Sequence, residues 1–254
     1  MHERERRARW RWVIGVAVCV LALGTAGCGL LKAPPPAPTP TPAGSNLLAN
    51  PGFELFAPGW EPLQGTDPSG FQVNVTTPHG GKGHAARLVL ASDAGIDGSA
   101  AAGFAQHLSG AEFPEFLSGF YLVDDWQPRD TFQYIEFAVT VAGGDFADGP
   151  GTYTSRFLIA GADREPAGGP ATKFTFLSRA APSLHRWTYF AYPLREAFAF
   201  KFGKVPTGWT DLQIHFAVRY EDRTANQPAT SADVSFDDLF AGSQSANPNR
   251  PTDP

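Results

Sequence analysis

Cysteine is scarce in this chain, with only Cys19 and Cys28 among 254 residues. If residues 1–27 are removed, as predicted below, Cys28 alone remains. A single cysteine excludes a disulfide framework, a zinc site built from several thiolates and, once it is modified, a catalytic thiol. The stability of the folded part must therefore come from a packed core, with or without a bound ion.

Clusters of basic residues are also missing. The chain has 20 Lys and Arg against 25 Asp and Glu, a net charge of −5. Removing residues 1–27 takes away five Arg and two Glu, which leaves 15 basic and 23 acidic residues and a net charge of −8. Nucleic-acid binding depends on Lys and Arg contacts to phosphates. The sequence therefore argues against a nucleic-acid partner.

Signatures of common catalytic sites are absent from the sequence. It contains no Gly-x-Ser-x-Gly, no His-Glu-x-x-His, no phosphate-binding loop and no Asp-x-Asp-x-Asp-Gly calcium loop. Asp124 and Asp125 are adjacent, but neighbouring strand residues point to opposite faces and do not converge as glycosidase carboxylates. We therefore expect no enzyme activity. Five histidines follow the N-terminal segment without metal-ligand spacing: His79, His84, His107, His185 and His215.

The N-terminus carries the features of a targeting segment. Five arginines precede an uncharged apolar run over residues 13–27, which ends in Thr-Ala-Gly before Cys28. This arrangement resembles a bacterial lipoprotein signal peptide, which implies removal of residues 1–27, a lipid on Cys28 and an extracytoplasmic, membrane-anchored protein. Thr25 departs from the pattern, because such signals more often have Leu there. The alternative is an uncleaved signal anchor, although a bilayer span needs roughly 20 apolar residues.

Proline marks the segments on either side of the folded domain. Residues 28–45 are predicted to be a lipidated tether, because six prolines between residues 34 and 42 favour extended polyproline II. At about 3.1 Å per residue this proline-rich part spans roughly 35 Å. Residues 243–254 are polar, contain three prolines and are predicted to be a disordered tail.

Strand patterns dominate residues 46–242. Apolar residues alternate over 134–141 and 211–220, so each segment predicts a strand with one buried face. About ten predicted strands suffice for two packed sheets. The glycine-rich stretch over 145–170 is interpreted as inserted loops. The other predicted strands lie at 71–76, 85–91, 103–108, 115–123, 153–160, 172–178, 187–192 and 234–240.

One segment has a different period. Leu194, Phe198 and Phe202 recur every four residues, a proline precedes them and Gly203 follows them. Proline suits the start of a helix and glycine suits the residue after its end, so we predict a short helix over 194–202. The alternative is a strand in which Phe198, Phe200 and Phe202 alternate on one face.

The two ends of this domain match a pair of motifs. Residues 46–54 read Asn-Leu-Leu-Ala-Asn-Pro-Gly-Phe-Glu, and residues 234–239 read Val-Ser-Phe-Asp-Asp-Leu. They resemble the first and last strands of carbohydrate-binding modules and related galactose-binding-like jelly rolls, and residues 78–88 and 104–106 are similar to an inner turn and strand of these modules. The resemblance implies an all-β fold, a jelly-roll β-sandwich of two antiparallel sheets.

The resemblance also implies a metal site. Family members often hold a structural calcium ion where the first and last strands meet, and the matching residues here are Glu54, Asp237 and Asp238. Calcium takes about six to eight oxygen ligands, and adjacent carboxylates at strand ends need a cation or hydrogen-bond donors beside them. The alternative is that Glu54 caps a turn and Asp237 accepts hydrogen bonds from backbone amides.

A sugar-binding site requires a flat aromatic face surrounded by planar hydrogen-bonding groups. The strongest candidate is Trp126, which is flanked by Asp124, Gln127 and Arg129. The alternative is that Trp126 is a core or edge residue of a strand that a polar turn follows. Two further aromatic candidates lie in predicted loops or strand edges: Trp209 and Tyr153.

These features predict a cell-surface lipoprotein with a non-catalytic carbohydrate-binding-like module, whose partner is a polysaccharide or glycan. One alternative is a structural or protein-interaction β-sandwich without sugar binding, and another is a cryptic carbohydrate-active enzyme. An exposed Trp126 beside a groove favours the first function, and a buried Trp126 favours the second. Two carboxylates that converge in a cleft favour the enzyme.

Overall fold

The computed structural model describes residues 45–74, 78–108 and 112–249. Within these ranges lie eleven strands, one α-helix and three short 3-10 turns. The predicted signal peptide, Cys28 and nearly all of the predicted tether fall outside the described residues. In the part that is described, no helix is long and apolar enough to cross a membrane.

The strands form two sheets that pack face to face. The six-stranded sheet has the order β1-β4-β10-β6-β7-β8 and the five-stranded sheet the order β2-β3-β11-β5-β9. All neighbours are antiparallel except β7 and β8, which are parallel. The predicted jelly-roll β-sandwich is therefore confirmed. The elements are β1 (Glu61–Pro62), β2 (Phe71–Asn74), β3 (Ala85–Ser92), β4 (Gly98–Leu108), β5 (Phe116–Gln127), β6 (Phe132–Phe146), β7 (Gly149–Ala160), β8 (Thr172–Phe176), β9 (Thr188–Tyr192), α1 (Leu194–Phe202), β10 (Asp211–Arg223) and β11 (Thr230–Gly242).

Phenylalanine fills the space between the sheets. In the six-stranded sheet, Phe216 of β10 lies between Phe104 of β4 and Phe137 of β6 in the strand register. Phe236 of β11 reaches it from the opposite sheet, with ring centroids 5.1 Å apart. Buried aromatic pairs add to the free energy of apolar burial. The alternation seen in the sequence therefore marks the inner faces of the strands.

The outer face of the six-stranded sheet is buried as well. Tyr134, Glu136 and Ala138 alternate with the core residues of β6 and are completely covered. The prediction that this strand has only one buried face is therefore wrong. The cause is tertiary: side chains of β7 and β10 fold over the sheet, and Phe174 of β8 packs against the aromatic cluster around Tyr134.

The two ends of the domain meet as the paired motifs suggested. Leu47 N–H donates to the carbonyl of Ala241 at 2.7 Å, and Leu239 N–H donates to the carbonyl of Pro51 at 3.0 Å. The segment 46–54 is nevertheless not a strand, contrary to the resemblance. Asn50 and Phe53 have φ of 47° and 57°, which turns the backbone out of the extended conformation.

The predicted helix is confirmed with its bounds, Leu194–Phe202. Leu194, Phe198 and Phe202 face the core, whereas Phe200 is 86% exposed. A strand would have placed Phe198, Phe200 and Phe202 on one side, so this exposure excludes the alternative. Gly203 ends the helix in a left-handed conformation with φ of 78°.

Two predicted loop boundaries differ from the structure. Much of 145–170, interpreted as inserted loops, is the end of β6 and the whole of β7, because these strands continue into a long hairpin. Its glycines sit at the hairpin tip and in a register shift near Gly144. Residues 243–249, predicted as part of the tail, contain a 3-10 turn and hydrogen bonds to the sandwich, including one from Asn247 Nδ2 to the Tyr189 hydroxyl at 3.1 Å.

One buried glutamine holds the N-terminal segment against the six-stranded sheet. Gln106 of β4 is 4% exposed. Its side-chain oxygen accepts from Ala49 N–H at 2.7 Å, and its Nε2 donates to the carbonyls of Ala49 and Gly59, each at 3.0 Å. These bonds satisfy backbone groups that lack a strand partner.

We expect Gln106→Ala to lower the free energy of unfolding by about 2–4 kcal/mol, because three backbone groups lose their partner in a buried site. Urea denaturation measures the change. The matched control is Gln72→Ala on the exposed face of β2, which should stay within about 0.5 kcal/mol of the parent protein. Equal stability of both variants would contradict this account of the N-terminal segment.

Candidate functional site

Trp126 lies at one end of the sandwich. It is the last residue but one of β5, lies opposite Ala232 of β11, is half-buried and packs against the main hydrophobic core. A Cβ placed on Gly161 would lie 2.6 Å from Cζ2 of the indole ring, so the chain after β7 covers part of the ring. The position is therefore intermediate between the exposed platform and the core residue considered above.

The polar residues predicted around Trp126 make contacts of their own. Gln127 Nε2 donates to Asp125 Oδ1 at 3.3 Å. Asp124 Oδ1 lies 3.6 Å from His185 Nδ1. Arg129 is exposed in the turn after β5, with φ of 48°. Their role in ligand binding stays a prediction.

Trp209 and Tyr153 lie far from Trp126. Tyr153 faces Val141 of β6 in register and packs on Phe146 with ring centroids 3.9 Å apart. On β6, Gln133 lies beside the chain that covers Trp126, and it precedes Val141 by eight residues. At ~3.3 Å per strand residue, the two positions are about 26 Å apart. Trp209 packs against the core just before β10, whose first residue faces Ala142. The structure therefore does not combine the three aromatic candidates into one surface.

Of the predicted metal ligands, Asp237 and Asp238 bring carboxylate oxygens to one place, and the side-chain stem of Glu54 lies next to them. A Cβ placed on Gly52 would lie 3.7 Å from a carboxylate oxygen of Asp237, 3.7 Å from one of Asp238 and 3.9 Å from Cγ of Glu54. Asp237 and Asp238 sit at a bulge of β11, where Asp238 has φ of 47°. The bulge turns two consecutive carboxylates toward the same place.

Asp237 is 2% exposed and accepts two backbone hydrogen bonds, from His79 N–H at 2.8 Å and from Asp238 N–H at 2.7 Å. Burial raises the pKa of its carboxyl to about 7, and the charges of Asp238 and Glu54 act in the same direction. His79 Nδ1 lies 2.7 Å from Asp238 Oδ2. The buried carboxyl of Asp237 thus lies beside two further acidic groups, the exposed Glu54 and Asp238, whose side chain is 45% exposed.

This oxygen-rich place fits a hard cation such as calcium, which would be held by Asp237 and Asp238 with Glu54 and backbone carbonyls around it. Among the described residues, no ion pair joins Asp237 or Glu54 to a Lys or an Arg. In the same part of the chain, no three His, Cys, Asp or Glu side chains are arranged as a closed metal site. A cation would therefore have to draw part of its coordination from the backbone.

A second polar site, which sequence reasoning missed, lies on the outer face of the six-stranded sheet. Glu136 of β6 is 0% exposed and accepts hydrogen bonds from Arg156 Nε of β7 at 2.7 Å and Arg219 Nε of β10 at 2.5 Å. We call the surface around it the polar face. Its members are Glu136, Arg156, Gln213, His215 and Arg219.

The electrostatics of the polar face follow from this pairing. Burial alone raises the pKa of Glu136, but neighbouring His215 and the two guanidinium groups outweigh it and hold the pKa well below its usual range. Burial lowers the pKa of His215. The carboxylate is therefore ionised and the imidazole neutral near pH 7.

His215 has unused hydrogen-bonding capacity. It is 7% exposed, and neither ring nitrogen has a hydrogen-bond partner. Its Nε2 lies 3.9 Å from Glu136 Oε1, which is beyond hydrogen-bonding distance. Ala105 and Ala138 face it in register on the neighbouring strands. His215 is therefore a buried imidazole whose hydrogen-bonding capacity the described residues leave unmet.

The sequence contained one signal of this site. Polar residues at alternate positions of the two clearest strands, Glu136 on one and His215 and Arg219 on the other, share the face opposite the apolar residues. Their meeting depends on the register that pairs Ala217 with Glu136, which strand periodicity does not specify.

Comparison with known proteins adds little beyond the fold. No protein-family model and no curated protein matches the chain. The carbohydrate-binding module TmCBM61 in complex with beta-1,4-galactotriose has 16% identity over 78% of this chain and 97% of that chain, with a TM-score of 0.40. The enzymatically active domain of tailspike protein 4 of bacteriophage CBA120 has 14% identity and a TM-score of 0.38, over 78% of this chain and 21% of that chain.

A loop-swap mutant of Xyn11A from Necallimastix patriciarum has 9% identity and a TM-score of 0.35, over 71% of this chain and 95% of that chain. This chain covers only about a fifth of the tailspike domain that it matches. At such identities and TM-scores the similarities carry no argument about the function of this chain.

Proposed function

We propose that this protein is a cell-surface lipoprotein whose β-sandwich is a non-catalytic carbohydrate-binding module. The observation that carries the proposal is the polar face of the six-stranded sheet. There, the buried His215 has two ring nitrogens without a hydrogen-bond partner. Beside it, the partly exposed Arg219 makes one hydrogen bond among the described residues, from Nε to Glu136. Sugar hydroxyls are recognised by such rigid, planar donors and acceptors.

The charges of the polar face favour a neutral ligand. Glu136 lies between Arg156 and Arg219, and Glu221 accepts a hydrogen bond from the Tyr134 hydroxyl at 2.5 Å, which in turn accepts one from Arg156. Two carboxylates thus balance two guanidinium groups within one connected network. A neutral polysaccharide can exchange hydrogen bonds with this network without leaving an unpaired buried charge.

The same pairing supports a non-catalytic role. A glycosidase needs a carboxylic acid with a raised pKa opposite a second carboxylate. Glu136 is the fully buried carboxylate of the polar face, and its pKa is lowered by the neighbouring His215 and by the two arginines. It therefore serves as a fixed acceptor that orients Arg156 and Arg219.

Binding of the purified protein to a panel of neutral and acidic polysaccharides tests the proposal by calorimetry. We expect binding to a neutral glycan and a loss of affinity of at least about tenfold in His215→Leu, which removes both ring nitrogens but keeps an apolar volume in the site. Trp126→Phe is the matched control and should bind as the parent protein does.

The other outcomes separate the alternatives. Loss of binding in Trp126→Phe alone would move the site to the predicted tryptophan surface. Failure of a folded protein to bind any glycan of the panel would reject the carbohydrate-binding role in favour of the structural or protein-interaction β-sandwich.

We also propose that calcium binds at Asp237, Asp238 and Glu54 and joins the two ends of the domain. Support comes from the carboxylate oxygens of Asp237 and Asp238 beside Gly52, from the side-chain stem of Glu54 next to them and from the raised pKa of Asp237. A cation there would relieve the repulsion among three acidic groups.

The protein should therefore melt at a lower temperature in excess chelator than in calcium, because the cation binds the native state and not the unfolded chain. Differential scanning calorimetry measures the difference. Asp238→Asn should reduce it, while Asp222→Asn at an exposed position of β10 should leave it unchanged. Identical melting curves of the parent protein with and without chelator would exclude the calcium site.

The lipoprotein part of the proposal rests on the N-terminal sequence. Expression of the full chain in a bacterium should give a membrane-bound protein whose mass matches cleavage before Cys28 plus lipid. Cys28→Ser should abolish the lipid and the processing, and mass spectrometry detects both. A membrane-bound parent protein that keeps residues 1–27 would instead establish the uncleaved signal anchor.

A further inference from the structure

A group of polar side chains closes one end of the sandwich interior. Arg223 ends β10 after a bulge at which Asp222 has φ of 57°. The bulge places Arg223 opposite Gly98 on the same face as Tyr220, a core residue. Thr230 of β11 faces Ser92 of β3 in register, in line with the core residues Ala232 and Leu90. Arg223, Ser92 and Thr230 therefore meet between the sheets.

Arg223 is a buried cation without a carboxylate. It is 2% exposed, and it donates to the Ser92 hydroxyl and to the carbonyl of Pro228 at 2.8 Å. The ion pairs found within the described ranges do not include it. By contrast, Arg87 pairs with Asp233, and Arg156 pairs with Glu136. A buried charge with only neutral partners is costly in free energy.

Three hydrogen-bond donors of this group are unused. Arg223 Nε and Thr230 Oγ1 are buried and have no hydrogen-bond partner. Ser92 accepts from Arg223, so the proton of its own hydroxyl is also free to be donated. Side chains opposite each other in an antiparallel pair lie about 5 Å apart at Cβ, so the two hydroxyls share one small space beside the guanidinium group.

We propose that this end of the sandwich is a binding site for a small inorganic anion of halide size. The positive charge of Arg223 supplies the attraction, and Arg223 Nε with the hydroxyls of Thr230 and Ser92 supplies the donors. Arg223 and Thr230 are almost fully buried, which excludes a larger organic acid. Gln133 Oε1, an unpaired acceptor in the same part of the interior, is not assigned to the anion.

The site is separate from the polar face, because Arg223 points between the sheets whereas Glu136 and His215 lie on the outer side of the six-stranded sheet. The anion would act as a structural counter-ion that takes the place of a missing carboxylate. Its binding would stabilise the turn between β10 and β11, whose Pro228 and Gln227 carbonyls accept from Arg223.

Thermal unfolding in sodium chloride and in sodium gluconate at equal ionic strength tests the site. Chloride should raise the melting temperature in a saturable way, and at ten times its dissociation constant it should lower the unfolding constant roughly tenfold. Thr230→Val keeps the shape of the side chain but removes a donor, and it should lose most of the chloride effect. Thr152→Val on the exposed part of β7 is the control and should retain it.

Crystals grown in sodium bromide give a direct readout. An anomalous peak within hydrogen-bonding distance of Arg223 Nε and Thr230 Oγ1 is the expected result. Equal melting temperatures in chloride and gluconate, or a water molecule without bromide at this position, would overturn the proposal even if the Thr230 variant proved unstable.

Discussion

A buried carboxylate holds the centre of the six-stranded sheet together. Glu136 lies on β6, and its two partners, Arg156 and Arg219, come from the strands on either side. A carboxylate without access to water is stable only when it is paired, so this pairing favours one register for both strand pairs over their alternatives. The same register sets His215 beside Ala105 and Ala138 and thereby creates the polar face. The proposed glycan site therefore depends on a structural ion pair.

The buried polar groups of this molecule are of two kinds, those with hydrogen-bond partners and those without. Gln106 and Glu136 have partners for each oxygen, and they fasten a segment or a strand. His215 and Arg223 keep unpaired nitrogen atoms in places that water barely reaches. Unpaired buried groups lower stability. The described residues contain further ones, among them Ser118 Oγ and Ser155 Oγ, but His215 and Arg223 are those that neighbour other polar or charged groups of a proposed site. We infer that both places bind something, a neutral sugar on the outer face and a small anion between the sheets.

Local sequence patterns predicted much of the fold. Each of the ten predicted strands overlaps a strand of the structure, and the helix Leu194–Phe202 has the predicted bounds, because periods of two and four residues report which side chains face the core. The resemblance, not periodicity, predicted a strand at residues 46–54, where positive φ values at Asn50 and Phe53 bend the chain. The interpretation of 145–152 as a loop was wrong, because these residues form the end of β6 and the start of β7.

The sequence by itself determined the class of fold, since strand periodicity follows from local residue patterns, and the resemblance of its end motifs indicated that the two ends of the domain meet. Only the tertiary structure decided that Trp126 is half-buried, that Trp209 and Tyr153 lie elsewhere and that Glu136 is covered. These outcomes depend on strand register, on bulges such as that at Asp222 and on which segments cover a sheet. Long-range hydrogen bonds and packing select one arrangement among several that fit the local sequence pattern equally well.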